Sequence, residues 1–253
     1  MPVWDPYLTE RDRAVFAAAG YGTFLGLGDR PAVLVIDVNY AFVGHERQPI
    51  LESIANWRNS CGEEGWDGVA AIAELLAGAR AKNLPVFYTT GTDVRPDGLG
   101  RGLWRNSRSL ERSKVPDVAG NDIPDEIAPQ ERDVLIRKTK PSAFFGTPLM
   151  SYLTELGVDS LIVVGTTTGG CVRASVIDAF SHNLRVAVVE EGTFDRGQAS
   201  HAINLFDMNA KYADVMTLQD TLAYIAKLEA DLYAGQIAPA VAEPQNPDLA
   251  ATS

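Results

Sequence analysis

The sequence predicts an α/β protein of three layers: a mainly parallel, six-stranded sheet with helices on both faces. Three observations carry this. Short apolar runs recur along the chain, and two of them, PAVLVI at 31–36 and LIVVG at 161–165, hold no charge. Strands buried on both faces of a parallel sheet read that way. Between the runs lie segments whose apolar residues repeat at the helical period, so strand and helix alternate. Finally, the run at 161–165 passes into a helical segment through TTTGG, a handover expected at the C-terminal edge of such a sheet.

The elements follow in order. Residues 2–20 are a polar lead-in where Ala14, Val15, Phe16, Ala17 and Ala18 make a short helix. Alone it has little to pack against, so residues 1–26 are expected as an arm lying on the body or on a neighbouring subunit. The body is assigned to 27–230. Its first strand, 31–37, ends on Asp37. Residues 39–67 read as irregular, with Pro49, Cys61, Gly62 and Gly65. Val69, Ile72, Ala73 and Leu76 place a helix over 69–82, and LPVFYTT is the second strand. Residues 91–131 form a long segment rich in Gly and Pro, usually a sign of function or disorder. Within it Leu103 and Trp104 suit a pocket wall or an interface. DVLIR at 133–137 is a third strand with Lys138 at its end. A helix over 149–156 stops at Gly157. After the central strand and its helix come a strand over 185–190, a helix over 199–210, a short strand over 214–216 and a helix over 217–228. Residues 231–253, rich in Ala, Pro, Gln and Glu, are assigned to a tail without a core of its own.

Composition sets limits. The 253 residues are 46% hydrophobic, enough for a large core in one α/β domain. The two cysteines, Cys61 and Cys171, give neither a disulfide framework nor a zinc spacing. No signal peptide and no membrane-length apolar run is found, so a cytoplasmic location is expected. A net charge of −11 argues against nucleic acid but not against a small anionic substrate. There is no G-x-G-x-x-G after the first strand and no P-loop, so nucleotide readings lack a motif. His45, His182 and His201 have no partner at metal-ligand spacing.

The chemistry gathers at strand ends. Cys171 sits where a strand hands over to a helix, and free N–H groups there can lower a thiol pKa or hold an oxyanion. That stretch alone leaves a nucleophile and a buried structural thiol both open. Asp37 ends another strand, at the edge where open α/β sheets bind ligands, though an Asp there also caps turns. Lys138 ends a third. If the strands are neighbours, Asp37 supplies a base and Lys138 a cation to a cysteine that has no histidine.

Asp37 after an apolar strand, Lys138 followed by SAFFGT, and GTTTGGCV together resemble the isochorismatase-like cysteine hydrolases. RPAVLVID, LPVFYTT, GLW, GCVR and FDR make the N-carbamoylsarcosine amidohydrolase branch the closest. The resemblance spans about 22–222. It implies an Asp37–Lys138–Cys171 triad without metal or other cofactor, and an oxyanion hole from the backbone N–H groups of Thr167 and Cys171. It also implies a cis peptide between Thr166 and Thr167. Lys140 is a rival for Lys138, but Lys138 stands four residues before Ser142, as in the family motif. Arg196 matches an arginine that binds the substrate carboxylate; the alternative is an ion pair with Asp195 or Glu190. Asn39, Phe42 and Trp104 are the further expected substrate contacts. Metal-dependent nicotinamidases of the superfamily carry an Asp and two His after the first strand, where this chain has only His45.

The expected function is therefore hydrolysis of a linear amide or ureido C–N bond in a small N-carbamoyl or amide substrate, releasing ammonia through a thioester. Alternatives within the superfamily are maleamate, ureidoacrylate or biuret as substrate. An isochorismatase proper lacks the cysteine, and a non-catalytic binding module has no need of three triad members. The arm and the long segment 91–131, together with the resemblance, point to a homodimer or homotetramer whose partner is only a small-molecule substrate.

Overall fold

The computed structural model describes residues 1–92, 97, 99, 115 and 117–236. Among them six strands form one sheet: β1 (Pro31–Ile36), β2 (Val86–Gly91), β3 (Val134–Lys138), β4 (Ser160–Thr166), β5 (Arg185–Phe194) and β6 (Asp214–Met216). The order is β3-β2-β1-β4-β5-β6, and each of the five pairings is parallel. The α/β class and the six strands are as the sequence predicts. Every residue of β1 and β4 is buried, which requires cover on both faces.

That cover comes from α4 (Glu63–Ala81), which packs with α8 (Leu218–Lys227), and from α6 (Arg173–Ser181), which packs with α7 (Gln198–Lys211). α5 (Leu149–Leu156) ends at Gly157, whose φ of 64° is the left-handed stop that glycine permits. The lead-in forms α1 (Glu10–Ala19), opened by a Thr9–Asp12 capping box. It lies on the body: Trp4 and Phe16 pack on Phe206 of α7, at ring distances of 6.3 and 4.7 Å. At the other end Tyr233 is buried, its hydroxyl donates to Pro31 O at 3.0 Å, and Arg30 lies over its ring. Residues 231–236 thus pack on the foot of β1, where composition alone suggested a tail.

Residues 39–67 are not irregular. They contain α2 (Tyr40–Val43), α3 (Ile50–Asn56) and the first turn of α4, which starts at Glu63 rather than at 69. Gly65 and Gly68 obscure that start in the sequence because they lower helix propensity. They are there for close approach: a Cβ on Gly68 would stand 2.4 Å from Phe194 of β5. β5 itself runs four residues beyond the expected 185–190, past a register shift opposite Val163–Gly165 that lets it follow β4 to its end.

Gly165, just before the functional turn, has φ 114°, and a Cβ there would meet Ile36 O at 2.2 Å. That neighbour is backbone of the central strand and has nowhere to move. Gly165→Ala is expected to destabilise the protein by about 2–4 kcal/mol, read as a fall in Tm of roughly 5–15 °C. Thermal unfolding checks this, and an unchanged Tm would mean the β1–β4 seam is looser than described.

Candidate active site

Strand order reverses at β1 and β4, and in open α/β sheets the crevice at that switch point takes the ligand. Asp37 directly follows β1, and Cys171 lies in the turn after β4. Lys138 ends β3, two strands from β1. Strands stand about 4.8 Å apart, so this gap is roughly 10 Å. The long lysine stem crosses it, and Lys138 Nζ donates to Asp37 Oδ2 at 2.6 Å.

The pair is buried, with Asp37 4% and Lys138 7% exposed. Buried charges persist only where their other hydrogen-bonding capacity is met. Here it is. Asp37 Oδ1 accepts from the Thr89 hydroxyl at 2.8 Å. Lys138 Nζ also donates to the carbonyls of Lys140 and Pro141, at 3.1 and 3.0 Å. The rival Lys140 thus contributes only a carbonyl to this site. Asp37 has φ 53°, a left-handed conformation that short polar residues tolerate better than most.

The Thr166–Thr167 peptide bond after β4 is cis. A wide turn, Thr168–Val172, then leads into α6 and is broken at Gly170. The N–H groups of Gly170 and Val172 donate to Thr167 O at 2.8 and 3.2 Å, and Gly169 N donates to Asp195 Oδ2 at 2.9 Å. Thr168 Oγ1 pairs with His201 Nδ1 at 2.7 Å. On the other side Ser175 Oγ donates to Cys171 O at 2.7 Å and accepts from Ala143 N at 2.9 Å. The Ser142 hydroxyl donates to the Asp178 carboxylate. The loop that follows Lys138 is thereby bolted to the helix that follows Cys171.

The Cys171 thiol feels the charges of both Asp37 and Lys138. Its pKa is not lowered, contrary to the expectation from its place at a helix start. Burial pushes it up to about 12, the Asp37 carboxylate pushes the same way, and the Lys138 ammonium pulls back without reversing them. Burial also disfavours the Lys138 ammonium, but the Asp37 carboxylate and the Cys171 side chain outweigh it and hold the lysine pKa above its ordinary value.

The other expected residues are placed unevenly. Asn39 is buried. Thr90 Oγ1 donates to Asn121 O at 2.7 Å and so accepts from Asn39 Nδ2 at 3.0 Å. That fixes the amide orientation and leaves Asn39 Oδ1 without a partner among the described residues. Phe42 O accepts from Cys61 N at 2.8 Å, which puts Phe42 beside the buried Cys61. Trp104 lies outside the described residues. Arg196 is half-buried, and its Nη1 donates to Asn59 O at 2.8 Å. Asp195, offered above as its ion-pair partner, instead accepts from the Gly169 and Arg196 amides. Among the described residues no group of three or more His, Cys, Asp or Glu suits a metal ion, and no helix is long and apolar enough to cross a membrane. Sequence reasoning missed Thr89, Ser175 and Asn59. Only Thr89 left a signal there: it lies in the last half of β2, toward the sheet edge where Asp37 and Lys138 stand.

An isochorismatase domain model matches residues 31–220. A maleamate amidohydrolase from Pseudomonas putida is 32% identical over 211 residues, covering 82% of this chain and 92% of that protein. An N-carbamoylsarcosine amidase from Arthrobacter sp. is 32% identical over 226 residues, covering 87% and 80%. Among solved structures, an isochorismatase family protein from Desulfovibrio vulgaris superposes with a TM-score of 0.66 at 28% identity, covering 79% of this chain and all of that one.

A thiol held this high is protonated at rest. Iodoacetamide labelling of Cys171 in the free protein is therefore expected to be slow near neutrality and to rise about tenfold per pH unit through pH 9. Peptide mass mapping against pH checks it. A rate already flat between about pH 6 and 8 would show a resting thiolate and remove the need for a base.

Proposed function

The chain belongs to the isochorismatase family, and on that premise we propose that it is a cysteine-dependent amidohydrolase cleaving a linear C–N bond in a small N-carbamoyl or amide substrate that carries a carboxylate. The observation that carries this reading is the buried Lys138–Asp37 pair set against the Cys171 thiol at the switch point. The two amidohydrolase relatives support the same bond class.

The steps follow from the groups present. Asp37 takes the Cys171 proton as the sulfur attacks the carbonyl carbon. Negative charge moves from carboxylate to sulfur and then to the carbonyl oxygen, always near the Lys138 ammonium. The amides of Thr167 and Cys171 receive the oxyanion. On collapse the C–N bond breaks and Asp37 hands its proton to the leaving nitrogen, which departs as ammonia. Water then attacks the thioester, Asp37 takes a proton from it, and Cys171 leaves as the thiol when that proton is returned. A ureido substrate yields a carbamate, which loses carbon dioxide to give a second amine.

Cys171→Ser should keep substrate binding and lose nearly all turnover, because a hydroxyl ionises far less readily than a thiol. Asp37→Asn and Lys138→Ala should each cut kcat by roughly three orders of magnitude or more, and the pair together scarcely further, because they serve one proton transfer. Ammonia release under saturating substrate measures both. Losses that simply multiply would separate the two residues.

Arg196 is the proposed carboxylate contact. A charged contact of this kind contributes about 1.5–3 kcal/mol, so Arg196→Ala should raise KM roughly ten- to a hundred-fold for maleamate or N-carbamoylsarcosine. It should leave KM for neutral biuret nearly unchanged. A wild-type preference for neutral ureas, with KM indifferent to Arg196, would leave only the general amidohydrolase reading.

A further inference from the structure

Segment 57–62 belongs to the stretch that sequence patterns left unassigned, and it touches both ends of the candidate site. Asn59 O holds the Arg196 guanidinium at 2.8 Å. Two residues on, the wholly buried Cys61 sets its Sγ 3.7 Å from Thr166 Oγ1, on the residue that enters the cis peptide. Cys61 Sγ faces the Thr166 hydroxyl and not a carboxylate–ammonium pair, so it is a packing group and not a second nucleophile; burial pushes its thiol up to about 12, with Arg196 pulling the other way.

The segment is also built stiff. Cys61 N donates to Phe42 O at 2.8 Å, and Trp57 Nε1 donates to His45 Nδ1 at 2.9 Å. Ser60 Oγ pairs with Ser53 Oγ at 2.8 Å and accepts from Gly62 N at 2.9 Å. Gly62 has φ 61°, and a Cβ there would stand 2.6 Å from Ile50 Cα and 2.9 Å from Gln48 O. Gly44, φ 82°, faces Ser53 Oγ just as closely. Glycine is needed at both positions, for conformation and for space.

We propose that segment 57–62 is a rigid spacer that fixes the Arg196 guanidinium relative to the Thr166–Cys171 turn and so sets the distance between the scissile carbonyl and the anionic end of the substrate. This rests on the reading of Arg196 as the carboxylate contact. Asn59 engages Nη1 of the guanidinium through its backbone carbonyl, and on this proposal the remaining N–H groups meet the anion, so Arg196 is oriented before substrate arrives. Binding then loses less side-chain freedom. A substrate one bond longer or shorter meets a guanidinium that cannot follow it.

The test uses the full-length protein with Ser60→Ala and Gly62→Ala, each in the Arg196 and the Arg196→Ala background. KM and kcat are measured for maleamate, N-carbamoylsarcosine and neutral biuret. With Arg196 present, each variant should raise KM for its better carboxylate substrate roughly five- to ten-fold, with kcat held within about threefold and KM for biuret within about twofold. In the Arg196→Ala background the same changes should have no further effect. Equal losses on charged and neutral substrates, or losses that multiply with Arg196→Ala, would overturn the spacer role. Ser60→Ala removes one hydroxyl without adding bulk, so it serves if Gly62→Ala does not fold. Phenylglyoxal labelling of Arg196, followed by peptide mass mapping, reads the same contact without any substrate. Labelling several-fold faster in Ser60→Ala supports the spacer even if no carboxylate amide is turned over, an outcome that would count against the proposed function alone. An unchanged labelling rate in Ser60→Ala overturns the spacer.

Discussion

The buried ion pair between Lys138 and Asp37 is the interaction on which the rest depends. Bringing two charges out of water costs several kcal/mol per ion, and their attraction offsets this only with near-ideal geometry and no unsatisfied protons. The fold supplies both. A parallel sheet places the two strand ends on one edge, and the Lys138 stem spans the width of β2 to make the 2.6 Å contact. The Thr89 hydroxyl and the carbonyls of Lys140 and Pro141 complete the shell. The loop that lends those carbonyls is tied to α6 through Ser142–Asp178 and Ala143–Ser175. The charge pair and the cysteine turn are therefore parts of one hydrogen-bonded frame.

A high thiol pKa fits this frame better than a low one. A thiolate formed at rest beside Asp37 would put two negative charges in one largely buried site with a single ammonium. Keeping the proton on sulfur leaves a neutral site: one carboxylate, one ammonium, one thiol. Moving that proton to Asp37 shifts negative charge from oxygen to sulfur without changing the total. In the proposed mechanism the low local dielectric, which makes the resting thiolate expensive, would also strengthen Lys138's hold on the charge as it moves.

How much of this was legible in the sequence depends on range. Uncharged runs such as PAVLVI and LIVVG declare buried parallel strands, because such strands have no solvent face to mark with polar residues. Asp37, Lys138 and Cys171 could be singled out because they terminate or follow those runs. The start of α4 was hidden by Gly65 and Gly68, which weaken the helix locally and pay off only against Val43 and Phe194. The direction of the Cys171 pKa is hidden for a related reason. Helix-start N–H groups are visible in sequence, whereas the burial that outweighs them belongs to the tertiary structure. Arg196 was legible as a guanidinium near the site edge, but its partner, the Asn59 carbonyl, carries no sequence signal, since every residue has one. Tyr233 escaped for the same reason, because its contact lies on Pro31, some two hundred residues away in the chain.

The central claim is that Cys171 forms a covalent acyl intermediate using a proton acceptor that is a carboxylate. The most direct measurement is partitioning by hydroxylamine during turnover of the best amide found by ammonia-release screening and of its methyl ester. Both share one acyl group and differ in the leaving group. A common thioester on Cys171 predicts the same ratio of hydroxamate to acid from the two substrates at each hydroxylamine concentration. A ratio that changes with the leaving group, or acid formation indifferent to hydroxylamine with no hydroxamate from either, would contradict it and point to direct attack by water.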